Sequence, residues 1–225
     1  MLALTAAAAT AQAGEGSINV GYDSDYIFRG VEQSDSSVNG GADWKNTFGD
    51  SNFGYYVGTW AADVDDGLEI DYYGGFTTAL GDFDLTAGYT YYDYTDDFDD
   101  TYKEINLGVD WKFLSFSSAL GEYGNFDDED QDYQYYELTA EHNGFFATVG
   151  SFHDDFDGEY VQAGYGASIA GVDVKASWIY SNSDLVGDLS DDGGSDQWFI
   201  LQVSKSFSFE QVGNAWRGLQ TKVNQ

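Results

Sequence analysis

The chain has 225 residues, with 40 Asp+Glu against 8 Lys+Arg and a formal net charge of -32. This length suits one domain, and this charge excludes a basic nucleic-acid-binding face and argues against docking on anionic lipid heads. There is no cysteine, so disulfides, thiolate metal sites and a Cys nucleophile are excluded, while abundant glycine and aromatics favour strands over helices or disorder.

Residues 1–13, MLALTAAAATAQA, are small and apolar and end in an A-x-A pattern. They read as a secretory signal peptide without its basic start, with the mature chain beginning near Gly14. No later apolar run reaches the roughly 20 residues of a membrane helix. A barrel is still open, because its signal is alternation rather than a run.

That alternation begins at residue 17. Segments at 17–31, 36–46, 53–63, 68–80, 82–94, 102–113, 114–123, 133–142, 144–153, 160–169, 172–182 and 197–209 alternate apolar and polar residues. In 104–113, Ile105, Leu107, Val109, Trp111 and Phe113 stand opposite Glu104, Asn106, Gly108, Asp110 and Lys112. In 68–77, Leu68, Ile70, Tyr72, Gly74 and Phe76 stand opposite Glu69, Asp71, Tyr73, Gly75 and Thr77. A period of two over about ten residues predicts a tilted, membrane-spanning strand. The expected fold is all-β: a transmembrane, up-and-down antiparallel β-barrel of about twelve strands, occupying residues 14–209.

The connections sort by charge. Those after odd-numbered segments hold nearly all the loop acids, among them Asp96, Asp97, Asp128, Asp130, Asp154, Asp155, Asp191 and Asp192. Those after even-numbered segments are tight, as at Asn143-Gly144 and Ala170-Gly171, and hold only Asp50 and Asp82. Long loops on one rim and short turns on the other match an outer-membrane barrel whose acidic rim faces outward. The tail 210–225 breaks the alternation and reads as a short amphipathic helix or a disordered extension.

Several motifs resemble the TorF-type family of Gram-negative porins. They are Ser24-Asp25-Tyr26-Ile27-Phe28-Arg29-Gly30 followed by Gln33, Gly54-Tyr55-Tyr56-Val57-Gly58-Thr59-Trp60-Ala61, and Glu69-Ile70-Asp71-Tyr72-Tyr73-Gly74-Gly75. Gly88-Tyr89-Thr90-Tyr91-Tyr92 and Ser204-Lys205-Ser206-Phe207 also fit. The resemblance covers about 17–207 and implies a small outer-membrane porin.

If strand one runs through residue 31, its inward face carries Asn19, Gly21, Asp23, Asp25, Ile27 and Arg29. Pore-lining candidates are then Asp23, Asp25 and Arg29, with Glu69 and Asp71 facing Arg29 across a narrow barrel. An inward Arg29 either sets a transverse field at a constriction or forms a buried Arg–Asp pair that plugs the lumen. The acidic rim solvates the mouth, concentrates cations there, or bridges Ca²⁺ weakly between loops. An EF-hand is excluded: Asp128-x-Asp130-x-Asp132 is followed by Tyr133 where the turn glycine belongs. Tyr26, Phe28, Trp44, Phe53, Tyr89, Trp111, Trp178, Trp198 and Phe207 read as interfacial girdles, whereas Trp60, Tyr73 and Tyr92 point inward.

Catalysis has no support. His142 and His153 fall at opposite ends of the barrel, and neither HExxH nor G-x-S-x-G occurs. The reading is a bacterial outer-membrane channel for small hydrophilic solutes, favouring cations, with membrane lipids around it and no cofactor. The alternative is a plugged structural or adhesive barrel that binds Ca²⁺ or a partner through its acidic loops. A soluble secreted β-protein is the third reading, opposed by an apolar outer face that water would leave exposed.

Overall fold

The computed structural model describes residues 14–126, 128–186 and 194–215. The expected leader, Asp191, Asp192 and the end of the tail lie outside the described residues. Among the described residues, fourteen strands are present in chain order: β1 (Glu15–Asp23), β2 (Tyr26–Phe28), β3 (Val31–Ser34), β4 (Ser37–Thr47), β5 (Phe53–Val64), β6 (Gly67–Leu80), β7 (Phe83–Tyr94), β8 (Tyr102–Trp111), β9 (Leu114–Tyr123), β10 (Gln131–His142), β11 (Phe145–Asp154), β12 (Gly158–Ile169), β13 (Val172–Ser181) and β14 (Asp196–Ser208). A short helix, α1 (Ser183–Val186), precedes β14, and residues 209–215 are helical after it.

β1 and β4–β14 close into one antiparallel barrel, each strand pairing with its neighbours in sequence and β14 returning to β1. Closure leaves the barrel no free edge strand, so the ladder's backbone groups pair within the protein. The expected twelve-stranded barrel is therefore the observed one. The turns of one rim are tight. Asn143-Gly144 and Ala170-Gly171 have positive φ at both residues, the backbone a two-residue hairpin turn requires. The longer connections sit on the opposite rim.

The wall is divided between its faces. Val20, Phe76, Leu107, Val149, Tyr165 and Leu201 point outward and are exposed. Charged outward residues occur only toward the strand ends: Asp63, Asp93, Lys103, Glu122, Asp132 and Glu159 at the loop rim, and Lys205 toward the turn rim. Between them runs an uncharged apolar belt. The lumen face is polar. Asn19 donates to Asp43 at 3.4 Å, Tyr73 donates to Asp43 at 2.6 Å, and the Thr139 and Thr148 hydroxyls meet at 2.7 Å.

Inward aromatics are seated on glycines. Tyr73, Tyr133, Tyr160 and Phe146 face Gly58, Gly121, Gly150 and Gly164 as register partners on the neighbouring strand. A Cβ built on those glycines would lie 2.1–2.6 Å from the ring. The missing side chain lets each ring lie flat across the wall, as aromatic rescue of glycine does in other sheets.

The first expected strand is the one that differs. β1 stops at Asp23, and residues 24–36 do not continue the wall. Ser24 makes the last ladder contact, its N–H donating to Leu201 O at 2.9 Å. The chain then turns into the lumen and forms a separate two-stranded hairpin, β2–β3.

Candidate functional site

Residues 26–34 extend the alternation of β1, which is why they read as wall. Their turn redirects them. Arg29 and Gly30 both have positive φ, 50° and 84°, giving a two-residue hairpin turn. Only glycine fits at position 30, because a Cβ there would approach Leu185, Ser181 Oγ and Tyr160 to within 2.7–2.8 Å. Arg29 thus sits at the tip of an inserted hairpin rather than on a wall strand. Tyr26 and Phe28 likewise leave the expected girdle for the lumen. Trp198 is also an inward residue, donating from Nε1 to Glu32 of the hairpin at 3.1 Å.

The hairpin crosses the lumen in the half nearest the loop rim. One face packs Tyr26 with Trp60, Ala62 and Val64 at the end of β5, with Phe28 alongside. The other face sets Ile27 against Tyr133, Tyr135, Phe152, Tyr160, Ile179 and Ile200. These two clusters lie on opposite sides of the barrel, and the hairpin bridges them. The Tyr26 and Trp60 rings meet edge to face at 5.7 Å, and the Phe28 and Tyr92 rings lie 5.8 Å apart.

Polar contacts pin the tip. Arg29 forms a two-pronged ion pair with Glu104 of β8, Nη1 to Oε1 and Nη2 to Oε2 (3.1 Å for the second). Glu104 is fully buried and also accepts from Tyr133 at 2.7 Å, Asn106 at 2.8 Å and Tyr92 at 3.0 Å. The guanidinium lies 4.1 Å from the Tyr135 ring centroid and 4.8 Å from that of Phe28. Burial works against the Arg29 charge, and the adjoining Glu104 carboxylate more than restores it, so Arg29 is held above its ordinary pKa. Ser181 Oγ donates to Gly30 O at 2.7 Å and completes the tip's seat.

The sequence-derived candidates divide here. Asp23 ends β1 and accepts from Asn39 at 2.8 Å and Gln202 at 2.9 Å. Asp25 lies at the root of the hairpin, accepting from Ser24 at 2.8 Å. Glu69 and Asp71 are buried on the inward face of β6 beneath Tyr26, whose hydroxyl donates to Glu69. Arg29 lines a cavity with Asp25, as expected of neighbours, but the expected Arg–Asp ion pair is corrected: its ion-pair partner is Glu104. Asp96, Asp97, Asp128, Asp130, Asp154 and Asp155 all stand at the loop rim. No three acidic or histidine side chains converge into a metal-holding group among the described residues.

Sequence reasoning placed Glu104 on a polar face but gave no ground to single it out, because its partner arrives only when residues 24–36 fold inward. It also passed over Lys175. That residue, with Asp25, Arg29, Tyr160, Gln162 and Gln202, lines a small cavity beside the hairpin. Its ammonium lies 4.2 Å from the Phe146 ring centroid.

The family model described as "Bacterial protein of unknown function (Gcw_chp)" matches residues 7–207. The chain belongs to the Gcw_chp family. No curated protein matches it. Among solved structures, one reported under "Unveiling the Mechanism Behind the in-meso Crystallization of Membrane Proteins" is similar at a TM-score of 0.60 and 11% identity, over 87% of this chain and 84% of that one. The outer-membrane protein OpdK of Pseudomonas aeruginosa, solved with vanillate, is similar at a TM-score of 0.40 and 15% identity, over 78% of this chain and 57% of that one. This chain therefore spans just over half the length of OpdK. A mutant Rh. blastica porin is similar at a TM-score of 0.36 and 11% identity, over 88% of this chain and 99% of that one. The first likeness agrees with the closed barrel as a fold.

Proposed function

We propose that this Gcw_chp protein is an outer-membrane channel of the porin type whose mouth is narrowed by the β2–β3 hairpin. The observation that carries this reading is the division of the wall: an uncharged apolar belt outside and a hydrogen-bonded polar lining inside. The belt suits lipid, where an outward charge at mid-depth costs about 2–4 kcal/mol. A lining that includes Asp43 and Lys175 suits water. Short turns then face the periplasm, and the acidic loop rim faces the exterior.

The solutes are small, hydrophilic and preferentially cationic. The rim carboxylates raise the local cation concentration and repel anions. At the hairpin, the Arg29 charge is already neutralised by Glu104, so it presents no free cation to oppose entry. The resemblance to TorF-type porins agrees with this reading. The test is the reversal potential of the refolded chain in a planar bilayer under a KCl gradient. Discrete steps with a cation-selective potential support it. Insertion with no conductance at any voltage overturns it.

One observation favours a second reading. The hairpin is bonded on both sides of the lumen and carries a buried ion pair, which suits a permanent plug in a structural barrel. That reading predicts no conductance from the full chain and conductance only once the hairpin is removed.

A further inference from the structure

Glu69 and Asp71 are successive inward residues of β6, directly beneath the hairpin. Glu69 is fully buried and Asp71 is 9% exposed. The Tyr26 hydroxyl lies 3.1 Å from both Glu69 carboxylate oxygens. Asp71 Oδ1 is also buried, yet it finds no partner among the groups that carry a hydrogen at every pH. Glu69 and Asp71 stand two residues apart on one face of β6, which makes their carboxyl groups neighbours.

The surroundings offer no other relief. On β5 the register partners of Asp71 and Glu69 are Trp60 and Ala62, neither titratable. On β7 they are Tyr92 and Tyr94, and the Tyr92 hydroxyl is committed to Glu104. From the hairpin come Tyr26, committed to Glu69, and Arg29, committed to Glu104. Asp99, at the loop rim, accepts from Tyr102 and Tyr123. Among the described residues, three buried carboxyl groups thus share this space with one guanidinium. Two neighbouring buried carboxylates, with no uncommitted cationic side chain beside them among the described residues, do not both stay ionised.

We propose that Glu69 and Asp71 hold one proton between them and that this proton latches the hairpin over the lumen. Asp71 carries it and donates to Glu69, while Tyr26 donates to the same carboxylate from above. When the proton leaves to water, two like charges face each other beneath Tyr26, and water must enter to solvate them. The hairpin is therefore closed at low pH and loosens as pH rises. Only the consequence, a wider passage, rests on the channel reading; the latch does not.

The test uses the absence of native cysteine. Ile27→Cys places one thiol on the hairpin face that packs against the Tyr135 cluster. Its maleimide labelling in the refolded, full-length barrel is measured across pH, with each rate divided by that of the unfolded chain at the same pH. The expected result is a rise of about tenfold or more between about pH 5 and about pH 10, as a buried site becomes an open one. Adding Asp71→Asn, whose amide donates to Glu69 at any pH, keeps labelling at its low-pH level. Adding Tyr26→Phe instead raises labelling already at low pH, and retained heat-modifiable migration shows that each variant is folded. A flat profile in the parent, or the same rise with Asp71→Asn, overturns the latch. Conductance recorded alongside separates the two claims. pH-dependent labelling without conductance in any state upholds the latch and sinks the channel. Conductance with pH-independent labelling does the reverse.

Discussion

Asp23 and Ser37 face each other as register partners on β1 and β4, although residues 24–36 lie between them in sequence. The wall is therefore already complete where the hairpin leaves it. Two residues would join these strands as well as the hairpin does, since a two-residue turn is the commonest connection of an antiparallel pair. The intervening chain is an insertion into the lumen, and its contacts are those of a separable part. Replacing residues 24–36 by Asn-Gly is expected to leave a heat-modifiable barrel with its β-sheet circular dichroism unchanged. Loss of folding would show that the hairpin is instead part of the core.

Arg29→Ala removes the partner of a carboxylate that is fully buried. Leaving such a charge unpaired costs about 3–5 kcal/mol, and Glu104 keeps only its neutral donors. The expected outcome is lower resistance to urea in detergent, read by heat-modifiable migration. The pair Arg29→Ala with Glu104→Gln should recover much of the loss, because no buried charge then remains. A double-mutant cycle without coupling would contradict the assignment of this pair as the pin of the hairpin.

The glycine seats make a different prediction. A Cβ at Gly150 would lie 2.3 Å from Tyr160 Cε1, and Tyr160 donates to Glu137 and meets the Tyr135 hydroxyl. Gly150→Val must push that ring from the wall into space the hairpin occupies, at a cost of about 1–3 kcal/mol. The unfolding midpoint should fall. A variant that also carries Tyr160→Ala should lose part of that penalty.

Orientation of the wall is testable by charge. Leu107 points outward, 48% exposed within the apolar belt, whereas Ser117 points inward with Glu137 as its register partner. Leu107→Lys is expected to impair insertion into bilayers by about 2–4 kcal/mol, and Ser117→Lys to be tolerated. Equal effects would mean that the belt does not face lipid.

The wall was legible because its two faces meet different solvents. Ile105, Leu107 and Val109 alternate with Glu104, Asn106 and Gly108, and that period alone assigns strand, length and face. It also placed Trp60, Tyr73 and Tyr92 inward, although they are aromatic. The hairpin was not legible for the same reason. Tyr26 and Phe28 continue the period of Val20 and Tyr22, and alternation cannot distinguish an apolar residue facing lipid from one facing an aromatic cluster inside the barrel. Arg29-Gly30 lacks the Asn-Gly or Asp-Gly signature of its turn type. With the hairpin read as wall, Arg29 was assigned to nearby acids, and Glu104, distant in sequence, had no visible partner.

The central claim is that the barrel conducts and that the hairpin sets its width. The most direct measurement compares single-channel conductance of the refolded full chain with that of the variant in which Asn-Gly replaces residues 24–36, in the same salt and bilayer. We predict small, cation-selective steps in the first and steps several-fold larger in the second. Silence of the full chain, from barrels shown to be inserted and folded, would contradict the account, and steps in the variant alone would leave the hairpin as a permanent plug.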